Sequence, residues 1–213
     1  MPLEVVEAPT SLGPARLHVW TPPGPRGRLV LGHGAGGGIT APDLTEIRAA
    51  VVAAGWQVVL VEQPWRVAGK RVAPAPARLD LGWTEALAAL PRTSGSGPEP
   101  PLVLGGRSAG ARVACRTALG LGATAVCCLA FPLHPPGRPD RSRAPELAGA
   151  GVPVFVVQGT KDAFGGPDDI TALALPEVAV VEVAGDHSLA RPVAVPRAVA
   201  AAVVGRLPLW SQE

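Results

Sequence analysis

One serine in this chain lies between a strand pattern and a helix pattern. The apolar run 102–104, Leu-Val-Leu, is typical of a strand buried on both faces of a sheet, and the segment 109–119 has the Ala, Arg and Leu content of a helix. Gly106 and Gly110 lie two positions either side of Ser108, in the pattern Gly-x-Ser-x-Gly. Small residues there let a strand and a helix pass close together, with the serine hydroxyl exposed on a strained turn. A plain glycine-rich turn capped by a serine would match the same sequence pattern. The strand pattern before the serine and the helix pattern after it favour a nucleophile elbow instead.

Length, composition and charge set the broad class of the protein. The 213 residues suit a single domain spanning 1–213, and no apolar run approaches the roughly 20 residues that a membrane span requires. The N-terminal residues lack a basic segment followed by an apolar one, so we expect no signal peptide, no membrane partner and a cytoplasmic location. A net charge of +2 with scattered arginines gives no basic field, which argues against nucleic acid as a partner.

The three cysteines predict buried, reduced thiols. Cys127 and Cys128 are adjacent within an apolar run, Cys115 falls in the predicted helix, and the sequence has no Cys-x-x-Cys spacing. The pattern disfavours both metal ligation and cysteine nucleophilicity. We therefore expect no metal site and no cofactor.

Strand and helix patterns alternate from residue 28 onward, after an antiparallel hairpin at 3–7 and 15–20. The first helix carries Asp43 and Glu46 at the spacing of a capping pair, with a glycine stop at Gly55. The later strands are predicted at 28–32, 57–61, 102–107, 125–131, 152–157 and 178–183. This alternation predicts an α/β fold of three layers, in which helices cover both faces of a mostly parallel sheet of about eight strands. Ligands would bind at the carboxyl ends of the strands.

Three motifs follow these strands in a fixed order, and they carry a resemblance to a known family. They are His33-Gly34-Ala35-Gly36-Gly37, then Gly106-Arg107-Ser108-Ala109-Gly110, then Gly159-Thr160-Lys161-Asp162 with Gly185-Asp186-His187. Over nearly the whole chain the sequence resembles the α/β-hydrolases. The elbow, the segment 131–137 (Phe-Pro-Leu-His-Pro-Pro-Gly) and the Asp-His-Ser near the C-terminus resemble, more narrowly, the small lidless, dienelactone-hydrolase-like branch that includes testis-expressed-type hydrolase-like domains.

The resemblance implies an α/β-hydrolase fold without a lid domain. It also places the nucleophile after strand five, the acid after strand seven and the histidine after strand eight. Arg107 precedes the serine, where many esterases have His or Tyr.

The motif order supplies the three groups that a serine nucleophile requires. A serine hydroxyl is a poor nucleophile at neutral pH, so it needs a base with a pKa near 7 and a third group that fixes the tautomer of that base. Ser108, His187 and Asp162 fit these roles, because only His187 lies where the fold places the base. Asp186 is the alternative acid, but adjacent side chains rarely face one another, which favours Asp162.

Further residues are expected around this triad. Backbone N–H groups of Ala109, at the start of a helix, and of Ala35, in the glycine loop, would hold the oxyanion. His33 is expected to shape that loop, and His134 to touch substrate from a proline-rich loop. The residues predicted to bind substrate are His33, Gly34, Trp65, Arg107 and His134.

These expectations define a leading function and two alternatives. The leading interpretation is a serine hydrolase that cleaves an ester or thioester of a small soluble substrate through an acyl-enzyme. The first alternative is a non-catalytic binding or scaffold module on the same fold, since folds are reused, and the second is an acyltransferase. The sequence leaves the substrate and the oligomeric state open.

Overall fold

A computed structural model describes residues 3–90 and 99–211 of the chain. Within these residues the backbone forms one sheet of eight strands. The strands are β1 (Leu3–Ala8), β2 (Ala15–Trp20), β3 (Arg28–Gly32), β4 (Gln57–Glu62), β5 (Leu102–Arg107), β6 (Ala125–Leu129), β7 (Val154–Gly159) and β8 (Val178–Val183).

The sheet is mostly parallel, as predicted. Its strand order is β1-β2-β4-β3-β5-β6-β7-β8. The β1–β2 hairpin and the β2–β4 pair are antiparallel, and every other pair is parallel. The turns that follow β3, β5, β6, β7 and β8 therefore leave the sheet at one edge, where ligands of such folds bind.

Helices cover both faces of the sheet. They are α1 (Pro42–Ala53), α2 (Pro64–Val67), α3 (Pro76–Leu87), α4 (Ala109–Thr117), α5 (Ala144–Ala148), α6 (Pro167–Thr171) and α7 (Ala194–Trp210). One apolar core lies under α1 and α7, and the other lies under α3 and α4. Among the described residues no helix is both long and apolar enough to cross a membrane.

The structure corrects several local predictions. The α4 helix ends at Thr117 and continues as a 3-10 turn, with Gly122 in the left-handed region at φ 67°. The short helices α2 and α5 fall in segments for which the sequence predicts neither a helix nor a strand, because stretches of four or five residues carry too little periodicity to detect. The glycine stop of α1 is confirmed, since Gly55 has φ 84° and donates its N–H to the carbonyl of Val52.

The predicted capping pair of α1 is wrong. Ala41 occupies the N-cap position, and no side chain caps the first turn. Asp43 instead turns its side chain inward and is fully buried. Its partner is distant in sequence, because Asp43 Oδ2 lies 3.2 Å from Arg107 Nε at the end of β5.

Glycines allow α4 to cross the sheet at close range. A Cβ added at Gly110 would lie 2.5 Å from the carbonyl oxygen of Gly32, and one added at Gly106 would lie 2.5 Å from the same oxygen. Both clashes are with backbone, which cannot rotate away. The elbow glycines are thus required by packing between β3, β5 and α4.

We expect Gly110→Ala to lower the free energy of unfolding by about 2 kcal/mol or more, because the added methyl group overpacks against the backbone of Gly32. Gly205→Ala is the matched control. Gly205 is an exposed position inside α7, and a Cβ added there would meet no other atom within 4 Å, so alanine should stabilise by roughly 0.5 to 1 kcal/mol through helix propensity. Urea unfolding of both variants measures the two effects, and equal stability of Gly110→Ala and wild type would contradict the close crossing.

Candidate active site

Ser108 lies on the turn between β5 and α4, and its backbone has a conformation that residues other than glycine rarely adopt. Its φ is 53° and its ψ is −108°. The N–H of Ser108 donates to the carbonyl of Leu129 at 2.9 Å, which ties the turn to β6. The surrounding glycine contacts hold the strained turn in place, and its side chain lines a cleft at the carboxyl edge of the sheet.

His187 lies on the loop after β8 and faces Ser108. Its Nε2 atom is 2.9 Å from Ser108 Oγ, and its Nδ1 atom is 2.8 Å from Asp162 Oδ2. A carboxylate only accepts hydrogen bonds, so Nδ1 carries the hydrogen and Nε2 presents its lone pair to the serine hydroxyl. The Phe164 ring packs on the imidazole with a centroid distance of 4.1 Å, which restricts the orientation of the histidine.

Asp162 is held by two further donors. The Phe164 N–H donates to Oδ1 at 2.8 Å, and Gln158 Nε2 donates to Oδ2 at 2.9 Å. Gln158 is fully buried at the end of β7 and also bonds to both backbone groups of Phe131 and to the carbonyl of Gly165. A buried and fully hydrogen-bonded amide therefore fixes the carboxylate and joins the loops after β6 and β7.

Sequence reasoning missed Gln158, although a signal was present. The segment Val-Phe-Val-Val-Gln-Gly ends a strand that is buried on both faces, and a polar side chain inside such a run needs a partner. That requirement alone marks the residue as part of a polar network.

The structure places Asp162, and not Asp186, beside the imidazole. Asp186 is exposed, and its Oδ1 accepts hydrogen bonds from the N–H of Ser188 at 2.8 Å and from the hydroxyl of Ser188 at 2.5 Å. These hydrogen bonds hold the pKa of Asp186 below its usual value. Asp186 therefore stabilises the turn that carries His187.

Two predicted oxyanion donors line the cleft next to Ser108. Ala109 is the first residue of α4, so its N–H has no acceptor inside the helix, and the helix dipole favours negative charge at this end. Ala35 is exposed on the glycine loop after β3, where the Gly37 N–H donates to the Gly34 carbonyl at 3.2 Å.

The cleft has a volume of about 730 Å³. Its lining is formed by Gly34, Ala35, Gly36, Arg107, Ser108, Ala109, Arg112, Pro132, Arg143, Lys161, Ala163, Phe164, Asp186, His187 and Ser188. Gly34 and Arg107 are therefore the two predicted substrate residues that reach it.

The other three predicted substrate residues lie outside this lining, which corrects the prediction. His33 is buried, with Nδ1 at 3.0 Å from the Gly34 carbonyl oxygen and Nε2 at 3.3 Å from the backbone nitrogen of Gln63. Trp65 is buried against the His33 ring. His134 directs its Nδ1 at the Pro135 carbonyl, at 3.0 Å. His33 thus shapes the glycine loop from behind, and burial lowers its pKa, which favours the neutral ring.

Arg107 connects three parts of the site. Its Nε lies 3.2 Å from Asp43 Oδ2 on α1, and its Nη2 donates to the carbonyl oxygens of Ser188 at 2.7 Å and His187 at 3.3 Å. Burial raises the pKa of the Asp43 carboxyl to about 6, and the adjacent guanidinium limits the rise. The residue before the serine thus anchors the loop that carries His187.

Comparison with known proteins assigns the family. The sequence matches the alpha/beta hydrolase domain family over residues 25–202. The chain therefore belongs to the α/β-hydrolases. A search of curated proteins found no match.

Solved structures with the same fold cover almost the whole chain. An alpha-beta serine hydrolase homologue from Coxiella burnetii is 15% identical, with 94% of this chain and 96% of that chain covered and a TM-score of 0.72. A serine hydrolase without a lid from Xanthomonas campestris is 18% identical, with 97% and 96% covered and a TM-score of 0.69. A thioesterase domain from the curacin biosynthetic pathway is 15% identical, with 98% and 100% covered and a TM-score of 0.71. These likenesses show the α/β-hydrolase fold.

The buried Asp43 predicts a pH dependence of stability. Its pKa is about 6 in the folded state against a reference value of 3.8, so between these values the folded protein holds more protons and its stability falls as pH rises. Asparagine does not titrate. The free energy of unfolding of Asp43→Asn, relative to wild type, should therefore rise by about 2 kcal/mol between roughly pH 4.5 and pH 7.

Urea unfolding at the two pH values measures this change. Asp140→Asn, at an exposed loop position, controls for the loss of one carboxyl group. A stability difference between Asp43→Asn and wild type that stays constant with pH would contradict the raised pKa.

Proposed function

We propose that this chain is a serine hydrolase that cleaves an ester or thioester of a small soluble substrate through an acyl-enzyme. The observation that carries the proposal is the continuous set of contacts from Ser108 Oγ to His187 Nε2, at 2.9 Å, and from His187 Nδ1 to Asp162, at 2.8 Å. A hydroxyl, an imidazole and a buried carboxylate in this order form the arrangement that activates a serine.

The first half-reaction forms the acyl-enzyme. His187 Nε2 takes the hydroxyl proton as Ser108 Oγ attacks the carbonyl carbon, and the Asp162 carboxylate stabilises the imidazolium that results. The N–H groups of Ala109 and Ala35 would bind the negative oxygen of the tetrahedral intermediate, and each such donor is worth about 3 kcal/mol. When the intermediate collapses, the bond to the leaving oxygen or sulfur breaks and Nε2 returns the proton to that atom.

The second half-reaction releases the acid. Water loses a proton to His187 Nε2 and attacks the acyl carbon, and the Ser108 ester bond breaks with return of the proton to Oγ. The shape of the cleft supports small soluble substrates, since the segment between β6 and β7 contains only the short helix α5 and no lid domain. The names of the structural relatives, a serine hydrolase homologue and a thioesterase domain, agree with this reaction class.

The proposal retains the sequence-based predictions of one domain over residues 1–213, a cytoplasmic location and a small-molecule partner.

Two aspartate variants form a matched test of the triad. Asp162→Asn should lower kcat/KM for 4-nitrophenyl acetate by about 10⁴-fold, because the amide no longer holds the Nδ1–H tautomer. Asp186→Asn should stay within about tenfold of wild type, because its amide oxygen still accepts from Ser188.

Ser108→Ala should fold and lose at least about 10³-fold in kcat/KM, since the triad acts as a unit.

Circular dichroism checks the fold of each variant before the assay. Activity of Ser108→Ala within tenfold of wild type, or a greater loss in Asp186→Asn than in Asp162→Asn, would contradict the assignment.

A further inference from the structure

Positive side chains dominate the charge of the candidate cleft. Four cationic residues line it, namely Arg107, Arg112, Arg143 and Lys161. Asp186 is the one carboxylate among the lining residues, and its oxygen already accepts two hydrogen bonds from Ser188. A cleft lined by one sign of charge concentrates ligands of the opposite sign.

Two of the four cations are already neutralised by carboxylates. Arg107 is paired with Asp43, and Arg112 donates two hydrogen bonds to Glu146, at 2.8 and 2.6 Å. Arg143 and Lys161 have no carboxylate within ion-pair distance in the described part of the chain, 3–90 and 99–211. Glu146 acts on Arg143 from beyond ion-pair distance but is already paired with Arg112 and Arg116, so Arg143 and Lys161 present net positive charge to the cleft.

Arg143 is held with its donors available. Its Nη1 donates to the carbonyl of Pro132 at 2.8 Å, and its own backbone N–H donates to the carbonyl of Leu133 at 2.7 Å. A guanidinium has five N–H donors, so most of them remain for a ligand. Burial and the neighbouring Arg112 guanidinium lower the pKa of Arg143, and an anion beside both would relieve that repulsion.

The loops that carry Arg143 and Lys161 are hydrogen-bonded to each other and to Asp162. Gln158 joins the loop after β6 to the loop after β7, and the His134 N–H donates to the Phe164 carbonyl at 3.0 Å. Lys161 is the residue before Asp162, and it is exposed at the cleft. An anion bound to these loops would be fixed relative to His187 and hence to Ser108.

We propose that the substrate carries an anionic group, a carboxylate or a phosphate, which binds Arg143 and Lys161 while the scissile carbonyl lies at Ser108. The proposal rests on the serine hydrolase function proposed above. Arg143 would contact the anion through paired N–H donors, a geometry that suits both carboxylate and phosphate. Lys161 would add a second positive charge from the neighbouring loop.

The test compares three acetate esters that share the scissile bond. Methyl 4-acetoxybenzoate is neutral, 4-acetoxybenzoate carries a carboxylate, and 4-acetoxyphenyl phosphate carries a phosphate. A second pair, mono-4-nitrophenyl glutarate and its methyl ester, places the carboxylate on the acyl side. The measured quantity is the ratio of kcat/KM for each anionic ester to that for its neutral partner.

We expect Arg143→Gln to lower at least one of these ratios by tenfold or more, and Arg143→Lys to retain part of the preference because it keeps the charge. Lys161→Gln, at an exposed position, should lower the same ratio by a smaller factor. Arg138→Gln removes an exposed arginine from the same loop, outside the cleft, and should leave the ratio unchanged. Raising the ionic strength should reduce the wild-type ratio. The ester that responds most identifies the anion and the side of the scissile bond on which it lies.

The outcomes separate this proposal from the one on which it rests. If wild type hydrolyses the esters and every ratio is unchanged in Arg143→Gln and Lys161→Gln, the anionic substrate is refuted while the hydrolase stands. If wild type hydrolyses none of the esters and a fluorophosphonate leaves Ser108 unlabelled, both proposals fail.

Discussion

The close crossing of α4 over the sheet is the constraint on which the site depends. Gly106 and Gly110 each approach the backbone of Gly32 more closely than a Cβ allows. This contact holds Ser108 at a positive φ and directs its side chain into the cleft. The same crossing brings the N-terminus of α4 to that point, so one packing contact positions both the proposed nucleophile and a proposed oxyanion donor. The strain at Ser108 is sustained by this packing.

Two polar networks complete the site from opposite sides. Gln158 donates a hydrogen bond to the Asp162 carboxylate at the carboxyl edge of the sheet. Arg107 holds the loop after β8 by donating to the backbone carbonyls of His187 and Ser188. Both networks are anchored by buried groups, since Gln158 and Asp43 are fully enclosed. The Gln158 amide is hydrogen-bonded at both its oxygen and its nitrogen, and the Arg107–Asp43 contact is a buried ion pair, so breaking either leaves a buried polar group without a partner. These contacts hold the imidazole between the carboxylate and the hydroxyl.

The features that were predictable from sequence are those with local causes. Apolar runs bounded by glycines predicted all eight strands and the turn at Ser108. The order of the family motifs predicted that Asp162 and His187 approach this serine. Asp43 was misassigned because capping is a local pattern, whereas its partner Arg107 lies on another element. The partners of Gln158 and the place of Arg143 and Lys161 in the cleft were missed for a related reason, since their neighbours come from separate loops that meet only after folding.

The central claim is that Ser108, His187 and Asp162 form a working nucleophile, and a fluorophosphonate probe tests it without knowledge of the substrate. The probe phosphonylates a serine when a base removes the hydroxyl proton and donors hold the developing oxyanion. Peptide mapping of the purified wild-type protein should show stoichiometric labelling confined to Ser108, and the labelling should be lost in His187→Ala. Labelling at a different serine, or none on correctly folded protein, would contradict the account and favour a binding module on the same fold.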